Sequence, residues 1–273
     1  MVGNVARYGL AIVISAIFVY PFYWMIVASF RSQQEILSDP LRLLPERFDL
    51  SGFAALSKMG GVSFWSYAFN SGVVTVLATA VGVVTTGLGA YAFYRQQNSL
   101  LFNVIRLGFL FKIMYPSMLL VIPLYFVVFQ LGLLGTLTGI VLVLSIQPLI
   151  FFMFAEFFRT IPIDLVEAAK IDGASEFAIL RLVVAPIAQP VVVTCILVSF
   201  LLTWKEWFPV VVLSTKSTSY TLPVGMLFLN SEIGVDFQAI MSLATLTTVP
   251  VMILFVLTQR RVMSGFLAGA VKG

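Results

Sequence analysis

Charged residues are sparse enough along this chain to act as punctuation. Runs of 23 uncharged residues separate Arg7 from Arg31, Arg181 from Lys205 and Asp236 from Arg260; 36 separate Lys58 from Arg95, and 43 separate Lys112 from Glu156. A helix crosses the hydrocarbon core of a bilayer in about 20 apolar residues. Four of these runs each suit one crossing. The run of 43 is too long for one, and Gly132 and Gly135 break it. The pattern predicts an all-α membrane protein with six spans, over residues 8–30, 70–94, 106–131, 136–157, 189–212 and 237–258, in a single domain covering 1–273.

Composition agrees with that reading. The chain is 60% hydrophobic and 10% charged, against about 25% charge in a soluble domain. The net charge of +4 fits retention of Lys and Arg on one side of a membrane and gives no reason to invoke nucleic acid. One cysteine, Cys195, excludes an internal disulfide and a cysteine metal site. The absence of histidine removes the commonest general base and metal ligand. The first apolar run is longer than a signal-peptide core and lacks a small-residue cleavage motif, so it reads as a retained helix.

An even number of spans puts both termini on one side. That side, with the loops near 95–105 and 158–188, holds nine cations: Arg7, Arg95, Arg106, Arg159, Lys170, Arg181, Arg260, Arg261 and Lys272. The other holds six: Arg31, Arg42, Arg47, Lys58, Lys205 and Lys216, the first four offset by Glu35, Asp39, Glu46 and Asp49. The richer side is expected to be cytoplasmic.

One cytoplasmic stretch differs from everything around it. VEAAKIDGASEFAILRLVVAP, residues 166–186, is charged and helix-forming. Asp164 and Glu167 have capping-box spacing, which predicts a helix running to about Asp172. Gly173 supplies a left-handed turn, and Ser175 is placed to cap a second helix running towards Pro186. Ala168 and Ala169 permit close approach of another surface, between the negative charges of Glu167 and Asp172. Spacing alone leaves open an ordinary loop packed on its own helices, with Ala chosen for helix propensity.

The stretch resembles the EAA motif of membrane subunits in binding-protein-dependent ABC importers. Glu167-Ala168-Ala169 is followed after three residues by Gly173, and Val183-Val184-Ala185-Pro186 stands where the family has Ile-x-Leu-Pro. The tail from Gln259 to Gly273, Leu43-Leu44-Pro45-Glu46-Arg47-Phe48 and Tyr220-Thr221-Leu222-Pro223-Val224-Gly225 resemble the second permease of maltose-type carbohydrate importers. The resemblance implies a type I importer permease fold in a bacterial or archaeal cytoplasmic membrane. It implies two copies of an ATPase subunit, a second homologous permease, an extracytoplasmic solute-binding protein and a carbohydrate substrate. Glu167, Ala168, Ala169, Asp172 and Gly173 would form the coupling helix, Gly269 and Lys272 would reach the ATPase, and Tyr220, Pro223 and Asn230 would face the binding protein. ATP and Mg would bind in the partner and no cofactor in this chain, which has no G-x-x-x-x-G-K-[ST] phosphate loop.

Polar residues within spans are functional candidates. Lys205 and Glu206 lie within the fifth run, flanked by Trp204 and Trp207, and would leave a helix about 100° apart. With Lys112, Tyr115, Gln147 and Trp204 they form the candidate translocation path. A register-fixing ion pair or snorkelling to the interface remains open for Lys112, Lys205 and Glu206. Pro116, Pro123, Pro148 and Pro250 mark possible hinges. The alternatives are an importer of the same fold for a polyol, a glycerol phosphate or another small solute, and an ATP-independent secondary transporter. A membrane enzyme is disfavoured by the missing histidine and the lack of an acidic cluster.

Overall fold

The computed structural model describes residues 2–59, 61–96, 100–231 and 234–270. Helices carry most of them: α1 (Val2–Ala28), α2 (Gln33–Ser38), α3 (Ser51–Ala55), α4 (Phe64–Arg95), α5 (Leu100–Met114), α6 (Ser117–Gln130), α7 (Leu137–Ser145), α8 (Pro148–Phe158), α9 (Ile163–Ile171), α10 (Glu176–Ile179), α11 (Ala185–Trp204), α12 (Phe208–Leu213), α13 (Leu222–Gly225) and α14 (Phe237–Ala270). One two-residue hairpin, β1 (Asn230–Ser231) with β2 (Gly234–Val235), pairs Asn230 with Val235.

Among the described residues four helices are each long and apolar enough to cross a membrane: Arg7–Ala28, Phe64–Arg95, Glu176–Trp204 and Phe237–Gln259. α7 and α8, bent by 40° at their junction, make a fifth if the pair is one span. The third expected span, 106–131, is two helices of 15 and 14 residues parted at Tyr115–Pro116. The fifth ends at Trp204 and restarts as α12. Each break immediately precedes a helix with proline within one residue of its first position: Pro116, Pro148 and Pro209. Proline has no N–H to donate and pushes the residue before it out of the helical region. Pro123, Pro190 and Pro250 lie inside helices that continue through them.

The chain divides into two compact units. The first, Met1–Tyr67 with Leu222–Met252, is tied by its polar groups. Gln33 accepts from the Phe237 backbone N–H (2.9 Å) and donates to the Val235 carbonyl (2.8 Å). Ser51 donates to the Gln238 side-chain oxygen (2.9 Å), whose amide donates to the Asp49 carbonyl (3.1 Å). α3 touches α14 through Gly52, where a Cβ would lie 2.7 Å from Gln238 and Ser242 side-chain atoms. Arg31 is fully buried here. Its guanidinium pairs with the Glu35 carboxylate (3.1 Å) and donates to the carbonyls of Glu35, Asp39 and Arg42.

The second unit, Ala68–Thr221 with Ile253–Gly273, has an aromatic core. Tyr91, Phe93 and Tyr94 of α4 meet Phe151, Phe154 and Phe158 of α8, joined by Val166 of α9, Ile179 of α10 and Cys195 of α11. The rings pack edge-on or tilted, as Phe109 with Phe151 at 4.8 Å, and Phe154 stacks on Phe158 at 5.8 Å.

Candidate functional site

The 159–188 loop is built from its turns outward. α9 starts two residues earlier than its capping box requires. Pro162 stands at its N-cap with no side-chain hydrogen bond, so the box anchored on Asp164 does not form. Proline is preorganised for a helix start. Asp164 instead sits in the first turn, where its charge suits the helix dipole. The helix ends at Ile171, with Asp172 as C-cap. Gly173, at φ +82°, donates to the Lys170 carbonyl (3.1 Å), and Ala174 donates to Ala169 (3.0 Å). Those two bonds are a complete Schellman motif. Ser175 then caps α10 by accepting from the Ala178 N–H (3.3 Å).

Val166 is the buried side chain that anchors α9 in the core, and Ile179 does the same for α10. The rest of α9 faces outward: Glu167, Ala168 and, beyond the helix, Asp172 and Gly173 are exposed, while Ala169 is half-buried. Ile171 is 86% exposed and Phe177 70%. Apolar side chains this free on a small polar loop are candidates for a partner contact. The motif reading had singled out neither.

The loop is fastened to the lower end of α4. Arg95 grips the Glu176 carboxylate with two nitrogens, Nη2 to Oε1 at 2.9 Å and Nε to Oε2 at 3.2 Å. Tyr91 donates to the same carboxylate (3.3 Å), and Tyr94 donates to the Ile161 carbonyl (3.1 Å). Lys170 lies 4.0 Å from Glu176. After α10 the helix widens: residues 180–184 form a π turn, with the Ala185 N–H bonded to the Leu180 carbonyl. Pro186, which cannot donate to the carbonyl four residues back, follows directly.

A second candidate lies at the three helix breaks. A cavity of about 330 Å³ is lined by Lys112, Ile113, Leu120 and Val121 across the first, by Ile146, Gln147 and Pro148 at the second, and by Leu202, Thr203, Glu206 and Pro209 across the third. Broken helices leave backbone carbonyls free, which membrane depth tolerates where they border protein or a cavity. Lys112 meets one of them, donating to the Ile146 carbonyl. Gln147 is buried and donates to Thr203 Oγ1 (3.1 Å) and the Leu144 carbonyl (3.0 Å). Its own Oε1 has no partner. An orphaned buried acceptor is costly, and here it lies in the wall of a cavity. Of the path residues expected from sequence, the structure brings Lys112, Gln147 and Glu206 together. Tyr115 stacks on Phe111 (4.9 Å) and Trp204 on Phe200 (5.5 Å), neither in the lining. Lys205 and Glu206 do not leave a helix: Lys205 is the exposed C-cap of α11 and Glu206 lies in the break.

Residues 82–263 match the model of the family described as binding-protein-dependent transport system inner membrane component. The chain belongs to that family. It is 30% identical over 268 residues to the trehalose/maltose transport system permease protein of Thermococcus litoralis, covering 96% of this chain and 95% of the relative. It is 29% identical over 265 residues to a diacetylchitobiose uptake system permease protein of Streptomyces coelicolor, covering 96% and 95%. Its fold resembles a chain of a bacterial ABC transporter involved in the import of the acidic polysaccharide alginate, at TM-score 0.78 and 20% identity, covering 95% and 96%.

As an inner membrane component of such a system the chain is embedded in the membrane and is not itself the ATPase. Tyr220 is half-buried, in a loop fixed by Asn70 Nδ2, which donates to the carbonyls of Thr218 (2.7 Å) and Tyr220 (2.9 Å). Gly135 holds the same loop: its N–H donates to the Leu213 carbonyl (2.8 Å) and its carbonyl accepts from Ser219 Oγ (2.9 Å). Pro223 lies in α13 and Asn230 in β1. Gly269 lies in α14, which runs beyond the expected sixth span, and Lys272 lies outside the described residues. Reading the sequence missed Arg95, Glu176 and Thr203. The pairing of Arg95 with Glu176 spans 81 residues, beyond any local spacing rule, and an isolated threonine in an apolar run carries no signal.

Proposed function

We propose that this chain forms half of the translocation pore of an ATP-driven carbohydrate importer and takes its drive from a separate ATPase through α9. The observation that carries this reading is the 159–188 loop. A Schellman turn at Gly173 presents an exposed face of Glu167, Ala168 and Ile171, within the region that matches the family. The carbohydrate assignment is supported by relatives named for trehalose/maltose and for diacetylchitobiose. In the full assembly two ATPase copies hold ATP and Mg, a second permease chain completes the pore, and a solute-binding protein docks on the side opposite the termini. Glu167, Ala168, Ala169, Asp172 and Gly173 seat in the ATPase, Gly269 and Lys272 extend that contact, and Tyr220, Pro223 and Asn230 face the binding protein. Solute passes the cavity of Lys112, Gln147, Thr203 and Glu206.

The test is purification of the tagged chain from its native membrane in mild detergent, with mass spectrometry of the partners. Co-purification of an ATPase, a second permease and a binding protein carrying a sugar is the expected result. A binding protein that carries a polyol or a glycerol phosphate changes the substrate class. A chain that emerges alone and moves solute in liposomes without ATP overturns the reading.

A further inference from the structure

We propose that the 82–95 segment of α4 is the rod that carries movement of the 159–188 loop to the cavity, with Gly82 and Arg95 as the positioning residues at its two ends. The proposal rests on the importer reading above.

The lower end of α4 holds the loop on both flanks. Tyr94 bonds Ile161 before α9, and Arg95 with Tyr91 holds Glu176 after it. The Arg95 fork is two-point, so it transmits rotation as well as pull. Between the grips, Val166 and Ile179 sit in one core with Ala90, Tyr91, Phe93 and Tyr94. The loop therefore cannot shift without dragging α4 or breaking that core. Close-packed interiors transmit displacement because they have few voids to absorb it.

The other end of the rod meets the cavity wall. A Cβ placed on Gly82 would lie 2.9 Å from the Ser145 carbonyl oxygen and 3.3 Å from Gln147 Cδ. The α4 backbone is thus pressed against the α7–α8 break. Gln147 is the buried side chain whose Oε1 is unpartnered, and Ile146 is where Lys112 is tethered. Thirteen residues separate Gly82 from Arg95, a helical rise of about 20 Å. No proline interrupts α4, so the segment lacks the commonest cause of a sharp kink. α8 offers a competing route, since it leads directly into α9 through residues 159–162. The two routes differ in one respect: only the α4 route passes through the Arg95–Glu176 pair.

Spatial continuity alone does not establish coupling, so the test reads the response at the cavity. The purified complex carries Cys195→Ser, and Leu149→Cys in the cavity lining. The rate at which a charged methanethiosulfonate modifies Cys at 149 is measured with and without ATP and Mg. Nucleotide is expected to change that rate about tenfold in the parent complex, with Arg95→Glu and Glu176→Arg each reducing the change to about twofold and the double reversal restoring it. Gly82→Ala should lose the response with the Arg95–Glu176 pair intact, and Glu176→Gln, which keeps its shape, covers the case in which a reversal fails to assemble. All variants should retain ATP hydrolysis by the partner. Single variants that respond like the parent, or a double reversal that recovers nothing, overturn the rod while leaving the importer reading intact. A parent complex without an ATPase and without a nucleotide response removes both.

Discussion

Gly173 and Gly135 share a left-handed backbone, at φ +82° and +78°, but their surroundings set different consequences. Nothing lies within 4 Å of a Cβ at Gly173, so a side chain there fits in space and meets only the conformational cost of about 1–2 kcal/mol. Its effect should therefore appear in docking. Gly173→Asp and Glu167→Lys are expected to insert at normal abundance and to lose solute uptake together with uptake-linked ATP hydrolysis. Normal uptake in both would remove α9 as the docking helix. At Gly135 a Cβ would lie 2.2 Å from Thr215 Oγ1. Gly135→Ala therefore adds a clash to the conformational strain, and the cost should exceed about 2 kcal/mol. Thr215→Ala in the same chain should recover the steric part but not the strain, readable as a partial return of the detergent melting temperature.

At the scale of elements, the buried arginine of the segment between α1 and α4 illustrates what local patterning can and cannot show. Opposing charges four residues apart were legible, and Arg31–Glu35 and Arg42–Glu46 do pair. That Arg31 is fully buried and holds three carbonyls was not legible, because carbonyl acceptors leave no mark in a sequence. Arg31→Met should lower stability by about 3–5 kcal/mol, since it removes the counter-ion of the largely buried Glu35 carboxylate; a melting temperature equal to the parent's would contradict this. The helix breaks follow the same logic. The hydrophobic runs located the spans, but Pro116 and Pro148 part helices while Pro123 and Pro250 do not. Hydropathy is blind to where freed carbonyls find a partner, as Lys112 provides for Ile146. Gly173 and Ser175 were readable because turn and cap chemistry is local. The Asp164 cap failed because Pro162 starts the helix first.

At the scale of the whole molecule, parity decides orientation. Six crossings would place both termini on one side, and that parity hangs on whether the α5–α6 pair, broken at Pro116, crosses as one. In a Cys195→Ser background, Ser38→Cys and Thr160→Cys occupy exposed positions that six crossings put on opposite faces. A membrane-impermeant maleimide added to intact cells should label position 38 and reach position 160 only after permeabilisation. Labelling of both from outside would mean that one of the broken helices re-emerges on the side it entered.

The π turn between α10 and α11 is in effect one inserted residue. An inserted residue is a screw setting: each residue of an α-helix advances the azimuth by about 100°. The widened turn absorbs that advance, because a π turn sweeps about the same angle with one residue more than an α turn needs. A further residue inserted within Leu180–Val184 has no such turn to absorb it and should swing α10 by about 100° around the axis of α11. Arg95 would then face away from Glu176, and α9 would present its outward face along a different bearing. The heading of the loop is thus written as a phase, in the spacing between Ser175 and Pro186 as much as in the residues that make contact.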